Sequence, residues 1–313
     1  MKEYISEYRF EKAEELLGAL APWSNTFGKD KFIFRGHSNS AYLLSPTSIR
    51  VESKERIWDC SRAYAAIMGS TPDNDFSLAF VEYQLIRDFY KSADARGLHV
   101  PASDRLRRML HQDVDFHSMN DWVDGEKWLP EDMLEVAALA QHYGIATRLL
   151  DWTYDPFVAA FFASRPPANV DNDLCIWGLN ISLIGTLDSV ISDFPLRLVT
   201  PHYSGNPNLA AQSGLFTHWA HSVPGINTII KNPGESLAPV DRRPLDAQLK
   251  DYIAKLHSGE ASGTFVKMIL PGSESAQLAR FLRRFGYGPA KLFPGYEGVA
   301  LEMKETPFLR VPK

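Results

Sequence analysis

The chain of 313 residues is 45% hydrophobic and 12% aromatic, a composition that fills a substantial core and excludes the disordered class. Its formal net charge of −5 excludes a uniformly basic surface, though a local basic groove is compatible with that average. Cys60 and Cys175 are its two cysteines, so neither a disulfide framework nor a zinc-ligand spacing is indicated.

The first stretch, MKEYISEYRFEKAEELLGAL, mixes charges with apolar positions, unlike a signal peptide, and no later run is apolar enough to span a bilayer. A reducing, cytoplasmic setting without membrane contact is expected. Helical spacing predicts a helix over Glu7–Ala19, with Phe10, Ala13, Leu16 and Leu17 on one face and Pro22 beyond its end. DKFIFRGH reads as a strand with Phe32 and Phe34 on one side of the pleat and Ile33 and Arg35 on the other. Ser53 to Gln112 is patterned as helix, with Phe80, Tyr83, Ile86 and Tyr90 recurring at helical spacing. A helix over Glu131–His142 is closed by Gly144, and a strand then ends at Leu150. Asp151, Trp152 and Thr153 would form the rim of a cleft, before Asp155 and Pro156 start a helix through FVAAFFAS. DLCIWGLNIS, GLFTHWAH and GTFVKMILP read as strands, SESAQLARFLRRFG as a helix, and FPGYEGVALEMK as a short C-terminal helix entered through Gly295. The Pro/Gly-rich stretches near 201–208, 223–242 and 286–295 read as loops. The pattern predicts one mixed α+β domain over 1–313 with a helical insertion at about 52–127.

Two stretches concentrate costly side chains. A guanidinium at position 35, ending a buried strand, needs an anion, either a ligand's phosphate or carboxylate or an internal partner such as Asp151. Gly36 would let a ligand approach the same backbone. The strand-to-helix junction at 151–156 exposes unpaired N–H groups that suit an anionic ligand. The alternative makes Asp155 a cap, Trp152 core and Arg148–Asp151 a structural pair. No Walker loop, nucleophile elbow or His-Glu-x-x-His is found. The Glu-x-Lys of LEMK, which would suggest a nuclease, falls in a predicted helix.

FRGHSNSAYLLSPTSIR (34–50), LAQHYGIATRLLDWTYDPFVAAFFA (139–163), NLAAQSGLFTHW (208–219) and LFPGYEGVA (292–300) together resemble the FRG-domain family, in that family's order. More distantly, the layout is similar to that of ADP-ribosyltransferases. This resemblance implies an α+β, ADP-ribosyltransferase-like mixed sheet and an enzyme that uses NAD as co-substrate and no metal. Its first-strand arginine maps to Arg35, its Ser/Thr motif to Trp152–Thr153 with Pro156, Ala159 and Phe162–Ala163 behind, and its catalytic acid to Glu297. Asp-Trp-Thr stands where a Ser-Thr-Ser triplet is typical, and no Glu-x-Glu or Gln-x-Glu marks the last strand.

The implied chemistry breaks the nicotinamide–ribose bond. Positive charge builds on the ribose, so one carboxylate, assigned to Glu297, would stabilise it. Glu297 equally suits the N-terminus of a helix electrostatically. The residues assigned to the dinucleotide are Arg35, Gly36, His37, His142, Tyr143, Thr147, Arg148, Asp151, Trp152, Thr153 and Gln212. Among these, Tyr143 or Trp152 would stack on the nicotinamide, while His142 would touch a ribose or serve as a core histidine. RLRR (105–108) and RFLRRFG (280–286) favour a nucleic acid, RNA or DNA, as acceptor. Water as acceptor would make a NAD glycohydrolase, and a pocket without turnover a nucleotide-sensing or interaction module. The resemblance further implies a toxin or phage-defence effector restrained by an inhibitory antitoxin protein.

Overall fold

The computed structural model describes residues 4–53, 57, 74–108, 110–111, 127–166, 170–223, 231, 238–255 and 262–309. Its strands are β1 (Ile5–Arg9), β2 (Phe32–His37), β3 (Lys127–Trp128), β4 (Leu149–Thr153), β5 (Leu174–Asn180), β6 (Leu196–Val199), β7 (Gly214–Trp219), β8 (His221–Ser222) and β9 (Phe265–Leu270). The helices are α1 (Ala13–Leu20), α2 (Asp75–Asp94), α3 (Asp104–Arg107), α4 (Leu134–His142), α5 (Pro156–Ala163), α6 (Ile181–Val190), α7 (Pro207–Ala211), α8 (Leu245–Lys255), α9 (Ser275–Arg284), α10 (Pro289–Leu292) and α11 (Tyr296–Glu305). Seven strands form one sheet in the order β1-β9-β5-β2-β4-β7-β6, with β3 and β8 in a separate ribbon. The β1–β9 pair is parallel and the other pairs are antiparallel. The fold is thus mixed α+β.

The pleat sends alternate side chains to opposite faces of this sheet. On one face Ile33, Leu150, Trp152, Trp177, Leu215 and Ile269 join a single apolar layer with Leu245 and Leu249 of α8. The other face is covered in two pieces. Helices α1, α5 and α9 pack over Phe34, Ile176 and Met268, whereas α2 and α4 pack over Leu149, Val199 and Phe216. The division between the two pieces follows the β2–β4 boundary, where the candidate site lies.

Local chemistry explains α5. The Asp155 side chain accepts from the Phe157 N–H at 2.9 Å, and Pro156 occupies the first turn. The other Asp155 oxygen accepts from the Tyr287 hydroxyl at 2.7 Å, which pins α5 to the chain after α9. A Cβ at Gly36 would stand 1.9 Å from the Ala159 carbonyl oxygen. Glycine is therefore required there by helix α5 lying on β2, rather than by a ligand approaching the backbone as expected from the sequence.

Several expectations need correction. Residues 5–9 form a strand, and the first helix starts only at Ala13, because β9 offers Ile5–Arg9 an edge to pair with. β4 does not stop at Leu150 but continues through Thr153, so Trp152 is a core residue rather than a rim. The strand over 173–182 ends at Asn180, whose side chain caps α6 by accepting from the Leu183 N–H at 3.0 Å. β6 pairs with β7, α7 begins at the end of the stretch near 201–208 read as a loop, and α10 lies within the one near 286–295. Cys60 and most of the expected insertion lie outside the described residues. Among the described residues, no helix is long and apolar enough to cross a membrane, and no cluster of metal-ligating side chains occurs.

Candidate functional site

β2 stays paired with β5 along its length, and β4 with β7, but β2 and β4 pair with each other only at Phe34 and Thr153. Beyond that point the two strands splay, and Arg35 bridges the gap. Its Nη1 donates to the Asp151 carbonyl oxygen at 2.8 Å and to the Asp151 carboxylate at 3.2 Å. The guanidinium thereby satisfies a backbone acceptor that a continued ladder would have paired. Its Nε donates to His37 Nε2 at 2.9 Å, fixing the fork in the plane of the opening. Burial, reinforced by the adjacent Arg35 charge, pushes the His37 pKa down to about 3, so the imidazole is a neutral acceptor.

The splayed strands border a cavity of about 430 Å3, within the size range of small-molecule sites. Its apolar walls include Phe34, Phe162, Leu209, Phe216 and Phe293, and its polar rim includes Arg35, Ser38, Gln141, His142, Asp151 and Gln212. Asp151 is the one carboxylate among the described lining residues. One of its oxygens meets Arg35, and the other accepts from Gln141 Nε2 at 2.8 Å. Gln141 is in turn held by the Thr147 hydroxyl. The carboxylate is therefore oriented from both sides while its side chain remains 56% exposed. Thr153 donates from its hydroxyl to the Gln212 carbonyl at 2.7 Å, and Gln212 Nε2 donates to the Leu292 carbonyl at 3.0 Å, tying the far wall together. Burial lowers the His142 pKa, an effect that nearby Asp151 opposes.

Of the residues expected from the sequence to meet a dinucleotide, Arg35, Gly36, His37, His142, Asp151, Trp152, Thr153 and Gln212 line this cavity. Trp152 is only 3% exposed and its Nε1 donates to the Thr217 hydroxyl at 2.9 Å, so it is no platform for a stacked ring. Tyr143 is 60% exposed, packs edge-on against His142 and stands outside the cavity lining. Thr147 is fully buried and acts through Gln141.

Arg148 belongs elsewhere. It lies buried between Asp75 at 2.8 Å and Glu82 at 2.7 Å, with His221 Nε2 2.7 Å from its Nη1. Glu82 also accepts from Trp128 Nε1 at 2.8 Å. The partner of Asp151 is thus Arg35 and not Arg148. Burial alone would raise the Asp75 carboxyl, yet Arg148 and His221 hold it down at about 2. Glu297 sits in the first turn of α11 and lines a separate hollow with Arg165, Asn208 and Tyr296. That hollow shares Phe293 with the Arg35 cavity, but Glu297 does not reach the cavity lining.

Sequence reasoning passed over Gln141, Tyr42 and Phe293, although each lies inside or next to a quoted motif. The signal available was position alone, since their roles depend on the splay of β2 and β4. The basic segments are largely engaged within the chain. Arg105 pairs with Asp132, Arg107 with Asp94 and the Tyr90 hydroxyl, Arg283 with Glu305, and Arg280 with Gln277.

Residues 30–172 match the FRG domain family, a span that includes Arg35, Gln141 and Asp151. No curated protein and no solved structure matches the chain.

Proposed function

We propose that the FRG-domain chain is an NAD-dependent ADP-ribosyltransferase, with NAD bound as co-substrate in the Arg35 cavity and a macromolecule, RNA or DNA first, as acceptor. The observation that carries this reading is the convergence of a guanidinium, a single oriented carboxylate and an aromatic wall on one cavity of about 430 Å3. Cleavage of a nicotinamide–ribose bond leaves positive charge on the sugar and a neutral leaving group, so it calls for a carboxylate beside the ribose and no strong acid. Asp151 suits that role better than Glu297, because Asp151 faces the cavity and Glu297 faces another hollow. Arg35 supplies the donors for a phosphate oxygen. Phe162, Phe216 and Phe293 provide an apolar surface for a flat ring. Such an activity damages the cell that contains it, which fits a toxin or phage-defence effector restrained by an antitoxin protein.

The closed Arg35–Asp151 pair favours one second reading. A carboxylate already matched by a guanidinium serves binding as well as catalysis, so a nucleotide-sensing module would use the same cavity without turnover. The test supplies NAD labelled in its ADP-ribose half to the purified full chain with separate pools of RNA, DNA and protein. Transfer of label to one pool with release of nicotinamide is expected. NAD binding without nicotinamide release in any pool would establish the sensing module instead, and release without label in any pool would establish a glycohydrolase.

A further inference from the structure

Arg35, His37 and Tyr42 also line a second hollow of about 560 Å3, which they share with the first cavity. Arg50 and Arg242 line it, and among the described lining residues Glu52 is the one carboxylate. Three guanidinium groups meet on this hollow, and of them Arg35 is paired with Asp151, so the excess positive charge centres on Arg50.

The arginines are held in place by backbone acceptors. Arg50 Nε donates to the Ser45 carbonyl at 2.9 Å, and Arg242 Nη1 donates to the Ile49 carbonyl at 2.6 Å. Among the described residues, the two terminal nitrogens of Arg50 make no hydrogen bond or ion pair. Burial and the neighbouring Arg35 charge both work against the Arg50 cation, so an arriving anion would relieve a cost already present. Tyr42, more than half exposed and set edge-on to His37, offers an aromatic surface where the two hollows meet.

We propose that Arg50, supported by Arg242, forms a phosphate subsite continuous with the Arg35 cavity, which binds the diphosphate of a nucleotide. This deepens the transferase reading and rests on it for the identity of the nucleotide. It explains why the motif at 34–50 ends in an arginine that the Arg35 cavity itself does not use. The planar fork suits two phosphate oxygens, and the positions of Arg35 and Arg50 on one hollow suit a diphosphate better than a lone phosphate.

The test is isothermal titration of the full chain with ADP, ADP-ribose, inorganic pyrophosphate, adenosine and a single-stranded oligonucleotide. Arg50→Gln is expected to weaken ADP, ADP-ribose and pyrophosphate by about tenfold or more, with adenosine unchanged. Arg50→Lys, which keeps the charge but not the fork, is expected to fall between wild type and Arg50→Gln, and thermal unfolding checks that both variants fold. Unchanged pyrophosphate and ADP affinity in folded Arg50→Gln would overturn the subsite. So would a loss confined to the oligonucleotide, which would make the hollow a nucleic-acid contact. Should wild type release no nicotinamide from NAD while ADP binding still depends on Arg50, the transferase reading falls and the phosphate subsite stands.

Discussion

Replacing Arg148 by methionine separates architecture from function in this chain. The substitution removes one buried cation, leaving Glu82 without its Arg148 partner and Asp75 with His221 alone, and both acids are largely or wholly buried. Breaking a buried ion pair on one side costs about 3–5 kcal/mol. At roughly 2–4 °C per kcal/mol, the melting temperature should fall by about 10 °C. The pH dependence relative to wild type should also change. In wild type, Asp75 is held at about 2, below its unfolded value, so its contribution is complete above about pH 4 and lost as pH falls towards 2. In Arg148→Met that depression is weakened, because Asp75 keeps His221 but loses Arg148, so the variant's deficit relative to wild type should narrow as pH falls from about 7 towards 3. Circular dichroism melts across that range provide the assay. The triple variant with Asp75→Asn and Glu82→Gln should recover most of the loss, and ADP-ribose affinity of folded Arg148→Met should match wild type. A loss below about 1 kcal/mol, or a deficit relative to wild type that widens on acidification, would refute the reasoning.

Three further outcomes follow from single contacts. Because His37 has a folded pKa of about 3 against an unfolded value near 6.5, the unfolded state binds the extra proton between them. Wild type should therefore lose up to about 1.4 kcal/mol per pH unit as pH falls from 6.5 towards 3, and His37→Gln, which keeps an acceptor for Arg35, should flatten that slope in melts. Gly36→Ala drives a methyl group to 1.9 Å from the Ala159 carbonyl oxygen and 2.8 Å from the Ala163 nitrogen. It should cost about 1–3 kcal/mol or more in thermal unfolding and weaken ADP-ribose, since α5 carries part of the cavity wall. Trp152→Phe strands the buried Thr217 hydroxyl, so stability should drop by about 1–3 kcal/mol in thermal unfolding.

Local signals carried much of this structure. Asp155 and Pro156 announce a helix start, Gly144 and Gly295 take positive φ values at helix boundaries, and Phe80, Tyr83, Ile86 and Tyr90 are all buried along α2. The alternation of Leu150 and Trp152 could have placed the indole in the core, had the strand been extended through DWT. What remained hidden depends on chain segments distant in sequence. β1 exists because Phe265–Ile269 pairs with it, and nothing within residues 5–9 requires that. Arg35 and Arg148 look alike as arginines beside apolar runs, yet one bridges a gap between strands and the other neutralises acids on α2. Glu297 fits its motif and still lines a different hollow, because its place depends on where α11 packs rather than on the motif itself.

The central claim is that chemistry at the β2–β4 seam uses Asp151 beside Arg35. Its most direct measurement is nicotinamide release from saturating NAD by wild type, Asp151→Asn and Glu297→Gln. The account predicts release by wild type, a fall of about 100-fold or more in Asp151→Asn, and near wild-type release in Glu297→Gln. Full release by Asp151→Asn together with its loss in Glu297→Gln would contradict it.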